Sequence, residues 1–228
     1  MTLPIDTIIC GDCLEVMRGW SDGCVDAVVT DPPYGIAKDR HRTLTDGRIS
    51  ATGAAHKGNW YNVVDEWDAQ PPPRAAFDSM LRLSAVQVVF GGNYFAHMLP
   101  PSPGWIVWNK DNGNTKFADF EMAWTSRHAA ARILHWRWNG MLQEPGHPKD
   151  KRVHPTQKPL GLMAWVVANY TNEGDVILDP YCGSGTTCVA CIQLGRHFIG
   201  IEKEHKYVEI ARRRVREAQN TLFAGATP

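Results

Sequence analysis

The sequence has no excess charge of either sign: 24 Lys and Arg stand against 24 Asp and Glu in 228 residues, and the pI is near 7.1. A partner held by overall charge is therefore excluded, and any basic surface has to be local. No apolar run reaches membrane-spanning length, and no apolar leader follows Met1. A cytoplasmic protein with no membrane partner is expected. The six cysteines are too sparse for a secreted disulfide framework in a chain of this length. They do form two C-x-x-C spacings, Cys10/Cys13 and Cys188/Cys191, and a zinc site would need both pairs to converge. Cys10 reads as a strand end, whereas Cys188 and Cys191 lie one helical turn apart. Small apolar packing residues are the better reading, and no metal is expected. There is no internal repeat and no low-complexity segment.

What the chain does contain is an ordinary globular composition, 43% hydrophobic and 21% charged, enough for one α/β domain over residues 1–228. Short apolar runs recur between helical patterns. "TIIC" (7–10), "VDAVVT" (25–30), "VQVVFGG" (86–92), "WIVW" (105–108), "FEMAWTS" (120–126), "DVILDP" (175–180) and "HFIGIE" (197–202) read as strands. Helices are expected after "GDC" at 11–13, near 74–83, after Gly92, at 159–170 behind Pro159, at "GSGTTCVACIQLG" and at 206–219. Residues 36–59 are polar, glycine-dotted and long for a connection, so a flexible substrate loop is expected there. Residues 127–158 are basic and irregular. Alternating strands and helices imply a Rossmann-like, doubly wound, mostly parallel sheet of about seven strands. Ligands of such a sheet sit beyond the carboxyl ends of its strands.

Two strand ends carry chemistry. "LDPYCGSGTT" (178–187) passes from strand to helix through Gly183 and Gly185, which let a ligand approach the backbone at the positive end of a helix. Glu202 closes the next strand 23 residues past Asp179, where an acid can accept both hydroxyls of a ribose. A nucleoside-bearing cofactor follows. The pattern is neither G-x-G-x-x-G nor a P-loop, so a dinucleotide oxidoreductase is disfavoured. The second strand end is "DPPY", Asp31 to Tyr34. Pro32 and Pro33 stiffen the turn, since each fixes φ and donates no N–H. The ionised Asp31 side chain and the Pro32 carbonyl only accept hydrogen bonds, which suits an –NH2 group with two N–H donors, and Tyr34 offers a face to a planar ring.

The chain resembles the S-adenosylmethionine-dependent amino-group DNA methyltransferases, β group. The motifs are "GDC" (11–13), "VDAVVTDPPYG" (25–35), "VVFGGNYF" (88–95), "WNK" (108–110), "HPTQKP" (154–159), "DVILDPYCGSGTT" (175–187) and "GRHFIGIEKEHKYVEIARRR" (195–214). Tyr181-Cys182 departs mildly from the usual pattern. The resemblance implies a class I methyltransferase fold with circularly permuted motif order, and S-adenosylmethionine as cofactor. Asp31, Pro32, Pro33 and Tyr34 would be catalytic and hold the target base. Asp179, Gly183 and Gly185 would hold the methionine part, Glu202 the ribose and Asp12 the adenine, with Cys13, Pro180, Tyr181, Thr186 and Lys203 also binding the cofactor. Thr156 and Lys158 would lie near the methionine carboxylate, although Lys158 also reads as a surface lysine at a helix start.

Double-stranded DNA is the expected partner, with the target base flipped out of the stack. Residues 127–158 hold seven Lys or Arg against two acids, and residues 36–59 five against two. Lys38, Arg40 and Arg42 of the loop, with Arg132, Arg137, Lys149, Lys151 and Arg152 of a short target-recognition insertion at 127–153, are the expected DNA contacts. Trp136 and Trp138 either stack on DNA or face the core. The run Arg212–Arg214 reads as a solvated helix face. So short a recognition segment suggests a homodimer, as in many members of the family. D-P-P-Y favours N6 of adenine. N4 of cytosine, a structured RNA target and a non-catalytic nucleic-acid module are the alternatives.

Overall fold

Strand residues alternate between two apolar layers and so bury both faces of one sheet. Ala27 and Val29 face one layer and Val28 the other; Val88 and Phe90 oppose Val89, and Ile177 opposes Leu178. The computed structural model describes residues 2–36, 68, 70–113, 118–139, 142–154 and 156–225. Its elements are β1 (Thr7–Cys10), α1 (Cys13–Met17), β2 (Ala27–Thr30), α2 (Arg74–Leu83), β3 (Val86–Phe90), β4 (Trp105–Asn109), β5 (Phe120–Thr125) and β6 (Arg132–His135). They continue with β7 (Trp138–Asn139), β8 (Leu142–Gln143), α3 (Leu160–Tyr170), β9 (Val176–Asp179), α4 (Thr186–Gln193), β10 (His197–Glu202) and α5 (His205–Gly225).

The sheet has eight strands in the order β1-β10-β9-β2-β3-β5-β4-β6. All neighbouring pairs are parallel except those of β5, which runs antiparallel to both β3 and β4. Helices α3, α4 and α5 cover one face and α1 and α2 the other. Each helix buries a stripe at helical spacing: Ala76, Phe77, Met80 and Leu83 on α2, and Tyr207, Val208, Ala211 and Val215 on α5. From β2 the chain crosses to β3 on one side, and from β9 to β10 on the other. The boundary between β2 and β9 is therefore the topological switch point. Among the described residues, no helix is long and apolar enough to cross a membrane.

The sheet is of the expected kind, with eight strands for the expected seven or so: Arg132–His135 adds a strand parallel to β4 at the sheet edge, and β7 and β8 pair as a separate ribbon. Ile133 is 60% exposed there, so the strand has no buried apolar run to announce it. The helix expected after Gly92 is instead a chain of turns, closed by Tyr94 N–H to the Gly91 carbonyl and Phe95 N–H to the Gly92 carbonyl.

Candidate active site

The two chemical strand ends lie side by side. β2 and β9 pair in parallel, with Val28 opposite Leu178, and the Thr30 hydroxyl donates to Asp179 Oδ1 across the gap at 2.7 Å. Asp179 is 3% exposed and also accepts from Tyr181 N at 3.1 Å and from the Thr187 hydroxyl at 2.5 Å. Burial pushes its carboxyl up to about 6, even against those hydrogen bonds.

The glycine turn then runs over a cavity of about 250 Å³. Gly183 and Gly185 both take left-handed backbone, at φ +50 and +79. Gly183 N–H donates to Glu202 Oε2 at 3.0 Å, and Glu204 N–H to Glu202 Oε1 at 2.8 Å, so Glu202 is fixed at the rim. Burial raises the Glu202 carboxyl as well, opposed by these two amides. Arg214 clamps the turn from behind, donating to the Ser184 carbonyl at 2.7 Å and to the Thr186 hydroxyl at 3.0 Å; Arg212 donates to the Ile8 carbonyl at 3.0 Å. These two arginines are structural ties of α5 and not the solvated face expected from the Arg212–Arg214 run.

Of the residues expected around a cofactor, Asp12, Cys13, Thr156, Lys158, Asp179, Pro180, Tyr181, Gly183, Thr186, Glu202 and Lys203 line this cavity, together with Asp31 and Pro33. Gly185 is not among the lining residues. It meets α5, where a Cβ would lie 3.0 Å from that of Ala211. Asp12 caps α1 by accepting from Leu14 N and Glu15 N. The Cys13 thiol donates to Tyr181 Oη at 3.2 Å. His154, the first residue of "HPTQKP", also lines the cavity and was not singled out from the sequence. Its Nδ1 accepts from Thr156 N at 3.2 Å and its ring meets Tyr207 edge-on.

Asp31 stands at the cavity wall within a charged cluster. The Tyr34 hydroxyl donates to Asp31 Oδ1 at 2.7 Å, and Lys158 Nζ donates to Asp31 Oδ2 at 2.5 Å. Lys158 is 7% exposed, which removes the surface reading of that residue. The structure sets it against Asp31 and Glu121, at 3.1 Å from Glu121 Oε2. Burial raises the Asp31 carboxyl and Glu121 raises it further, while Lys158 and the Tyr34 hydrogen bond pull it down. Asp68 accepts from both Tyr34 N and Gly35 N, at 3.0 and 3.1 Å, and holds the D-P-P-Y turn in shape. The Tyr34 ring stacks on Tyr94 at 4.9 Å. Asp68, Tyr94 and Glu121 were missed in the sequence. Only Glu121 left a signal, as a lone acid inside the apolar run "FEMAW".

A cavity lined by Asp31, Asp179 and Glu202, with Gly183 in the glycine turn and His154, Thr156, Gln157 and Lys158 along it, fits a cationic nucleoside cofactor. The comparisons agree. A family model described as DNA methylase, of the N6/N4 methyltransferases, matches residues 105–213. The chain is 29% identical over 252 residues to Type II methyltransferase M2.MboI of Moraxella bovis, covering 93% of this chain and 88% of that protein. It is 28% identical to Type II methyltransferase M.HinfI of Haemophilus influenzae, covering 93% and 69%. Together these matches support an amino-group DNA methyltransferase of the N6/N4 kind. Its fold matches the M1.HpyAVI–SAM complex at a TM-score of 0.56 with 25% identity, over 92% of this chain and 98% of that one. The cytosine-N4-specific PvuII DNA methyltransferase matches at 0.57 with 14% identity, over 96% and 93%, which is a likeness of fold. The family model and the SAM-complexed neighbour support S-adenosylmethionine as the cofactor.

The residues expected to grip DNA fall in three groups. Lys38, Arg40 and Arg42, with the rest of the 36–59 loop beyond Ile36, lie outside the described residues. Arg132, Lys149, Lys151 and Arg152 are exposed on β6 and the segment before α3. Arg137 is half-buried, with its Nε sealed from solvent and, among the described residues, without a hydrogen-bond partner. Trp136 and Trp138 pack on the core layer of α3, the Trp136 ring filling the space beside Gly161. Both tryptophans are half-buried against that core.

Proposed function

We propose that this methyltransferase transfers a methyl group to the exocyclic N6 amine of an adenine flipped out of duplex DNA. The observation that carries the reading is the adjacency of Asp31 to the glycine-turn cavity at the switch point, with both on one wall. S-adenosylmethionine supplies an electrophilic methyl on a sulfonium. Glu202 would accept from its ribose hydroxyls, Asp179 would hold its methionine part, and Asp12 and Cys13 would lie at its base.

The amine of adenine is a weak nucleophile because its lone pair is drawn into the ring. Asp31 and the Pro32 carbonyl accept its two N–H bonds, favour a pyramidal nitrogen and free the lone pair for in-line attack. Positive charge that grows on that nitrogen meets these acceptors, the electrostatic stabilisation that dominates many catalysed steps. Asp31 is also placed to take the proton the amine sheds. Holding both reactants in line supplies the remainder. Base flipping costs on the order of a few kcal/mol, which phosphate contacts from Arg132, Lys149, Lys151 and Arg152 offset in this reading. Residues 127–153 then serve target recognition, and the enzyme works in the cytoplasm on double-stranded DNA.

The test is to incubate the protein with duplex DNA and methyl-labelled cofactor, digest the product and analyse its nucleosides by mass spectrometry. Label in N6-methyladenine is expected. Label in N4-methylcytosine would keep the chemistry and replace the base, since both bases present the same N=C–NH2 edge. Label in neither would refute the proposal.

A further inference from the structure

Four charged side chains of alternating sign run inward from β4 to the cavity wall. Lys110 Nζ lies 2.5 Å from Glu121 Oε1, Lys158 Nζ 3.1 Å from Glu121 Oε2, and Lys158 Nζ 2.5 Å from Asp31 Oδ2. The third donor of Lys158 points to Tyr34 Oη at 3.2 Å. An ammonium has three N–H donors, so each of them meets an acceptor here.

This arrangement poses a chemical difficulty. Asp31 is the acceptor for the target amine, yet Lys158 already holds one of its oxygens at ion-pair distance. A carboxylate neutralised by one buried ammonium is a poor acceptor for a neutral N–H donor. Glu121 answers that difficulty, because it shares the same ammonium from the opposite side, and Lys110 fixes its other oxygen.

We infer that Glu121 is a positioning residue that gives Lys158 a second seat, so that the ammonium leans from Asp31 toward Glu121 when the target base enters and Asp31 Oδ2 is freed to accept the amine. This rests on the reading of Asp31 under the proposed function. The groups facing Asp31 are Tyr34, Lys158, Glu121 with Lys110 behind it, and Asp179 on the neighbouring strand. Lys158 lowers the proton affinity of Asp31 and Glu121 raises it. Burial opposes ionisation of Glu121 itself, but Lys158 and Lys110 outweigh burial and hold its carboxyl down to about 2. Glu121 is thus an anion across the working pH range.

The experiment is single-turnover methyl transfer to duplex DNA at saturating cofactor, followed across the acid range of pH. Glu121→Gln keeps the shape and removes the charge. Its rate at neutral pH is expected to fall about ten- to hundredfold, the scale of losing a group that orients an active-site side chain, with cofactor affinity unchanged. Its acid limb is expected to move to lower pH, because Lys158 then bears on Asp31 alone. Lys110→Gln, at the outer end of the chain, is expected to move the acid limb the opposite way. An unchanged rate and profile for Glu121→Gln would overturn the inference. So would a lower rate with an unmoved acid limb, which marks a structural support only, or two variants that shift the limb in the same direction. Asp31→Ala in the same assay separates the two levels. Transfer retained by that variant sinks the role of Asp31, whereas transfer lost there and untouched in Glu121→Gln sinks only the second seat.

Discussion

Asp179→Asn is expected to make the cofactor-free protein more stable above pH 6, although it removes three hydrogen bonds to an anion. The buried carboxyl titrates near 6 in the folded chain against an ordinary 3.8. A raised carboxyl binds its proton more tightly in the folded than in the unfolded state. Its stability contribution is therefore fully present below pH about 4 and is lost as pH rises through about 6. A difference of roughly two units, at about 1.4 kcal/mol each, amounts to about 3 kcal/mol of destabilisation at neutral pH. Asparagine avoids that cost and keeps the shape. Its Oδ1 accepts from the Thr30 hydroxyl and Tyr181 N as the carboxylate does, and its amide donates to Thr187, whose hydroxyl turns from donor to acceptor. Thermal unfolding without cofactor, for both proteins from pH 4 to 8, is the assay. The melting temperatures should converge near pH 4 and separate by roughly 6–12 °C at neutral pH, taking about 2–4 °C per kcal/mol for a chain of this size. The parent alone should carry the downward slope between pH 4 and 6. Equal or lower stability of the variant at neutral pH, with the slope unchanged, would refute the burial argument. The carboxylate is retained, in this account, because it meets a cationic ligand in the cavity, so the same variant should bind S-adenosylmethionine less tightly.

Two glycines give sharper local tests. Gly185→Ala places a side chain at φ +79 and a Cβ 3.0 Å from Ala211 Cβ. A left-handed non-glycine residue costs about 1–2 kcal/mol before that contact is counted, so a lower melting point and weaker cofactor binding should appear together. Gly91→Ala would set a Cβ 2.2 Å from the Tyr34 ring at φ +69. The ring cannot stay where its hydroxyl reaches Asp31, so transfer should slow while cofactor affinity is kept; both are read by isotope assay and equilibrium titration.

The fold was legible where burial is periodic. Residues 74–83 show it well: Ala76, Phe77, Met80 and Leu83 recur at helical spacing, and the observed helix has those bounds. The two functional strand ends were legible because acids and prolines or glycines interrupt apolar runs there. β6 was not, since an edge strand with Ile133 turned outward carries no core pattern. Nor was the charged cluster. Asp31, Glu121 and Lys158 come from distant points of the chain, and they meet only where Lys158, from the segment before α3, reaches both Asp31 after β2 and Glu121 on β5. Spacing along the chain holds no record of that convergence. For the same reason Arg214 read as a surface charge, although its partners, Ser184 and Thr186, lie about 30 positions earlier in the chain.

In the proposed function Asp31 faces the reacting amine while the glycine-turn cavity holds the methyl donor, two separate tasks at one cavity. Asp31→Ala separates them, with S-adenosylmethionine binding measured by calorimetry and methyl transfer by isotope incorporation on the same sample. Binding is expected to persist and incorporation into DNA to vanish. Incorporation at the parent rate, or loss of cofactor binding together with transfer, would contradict it.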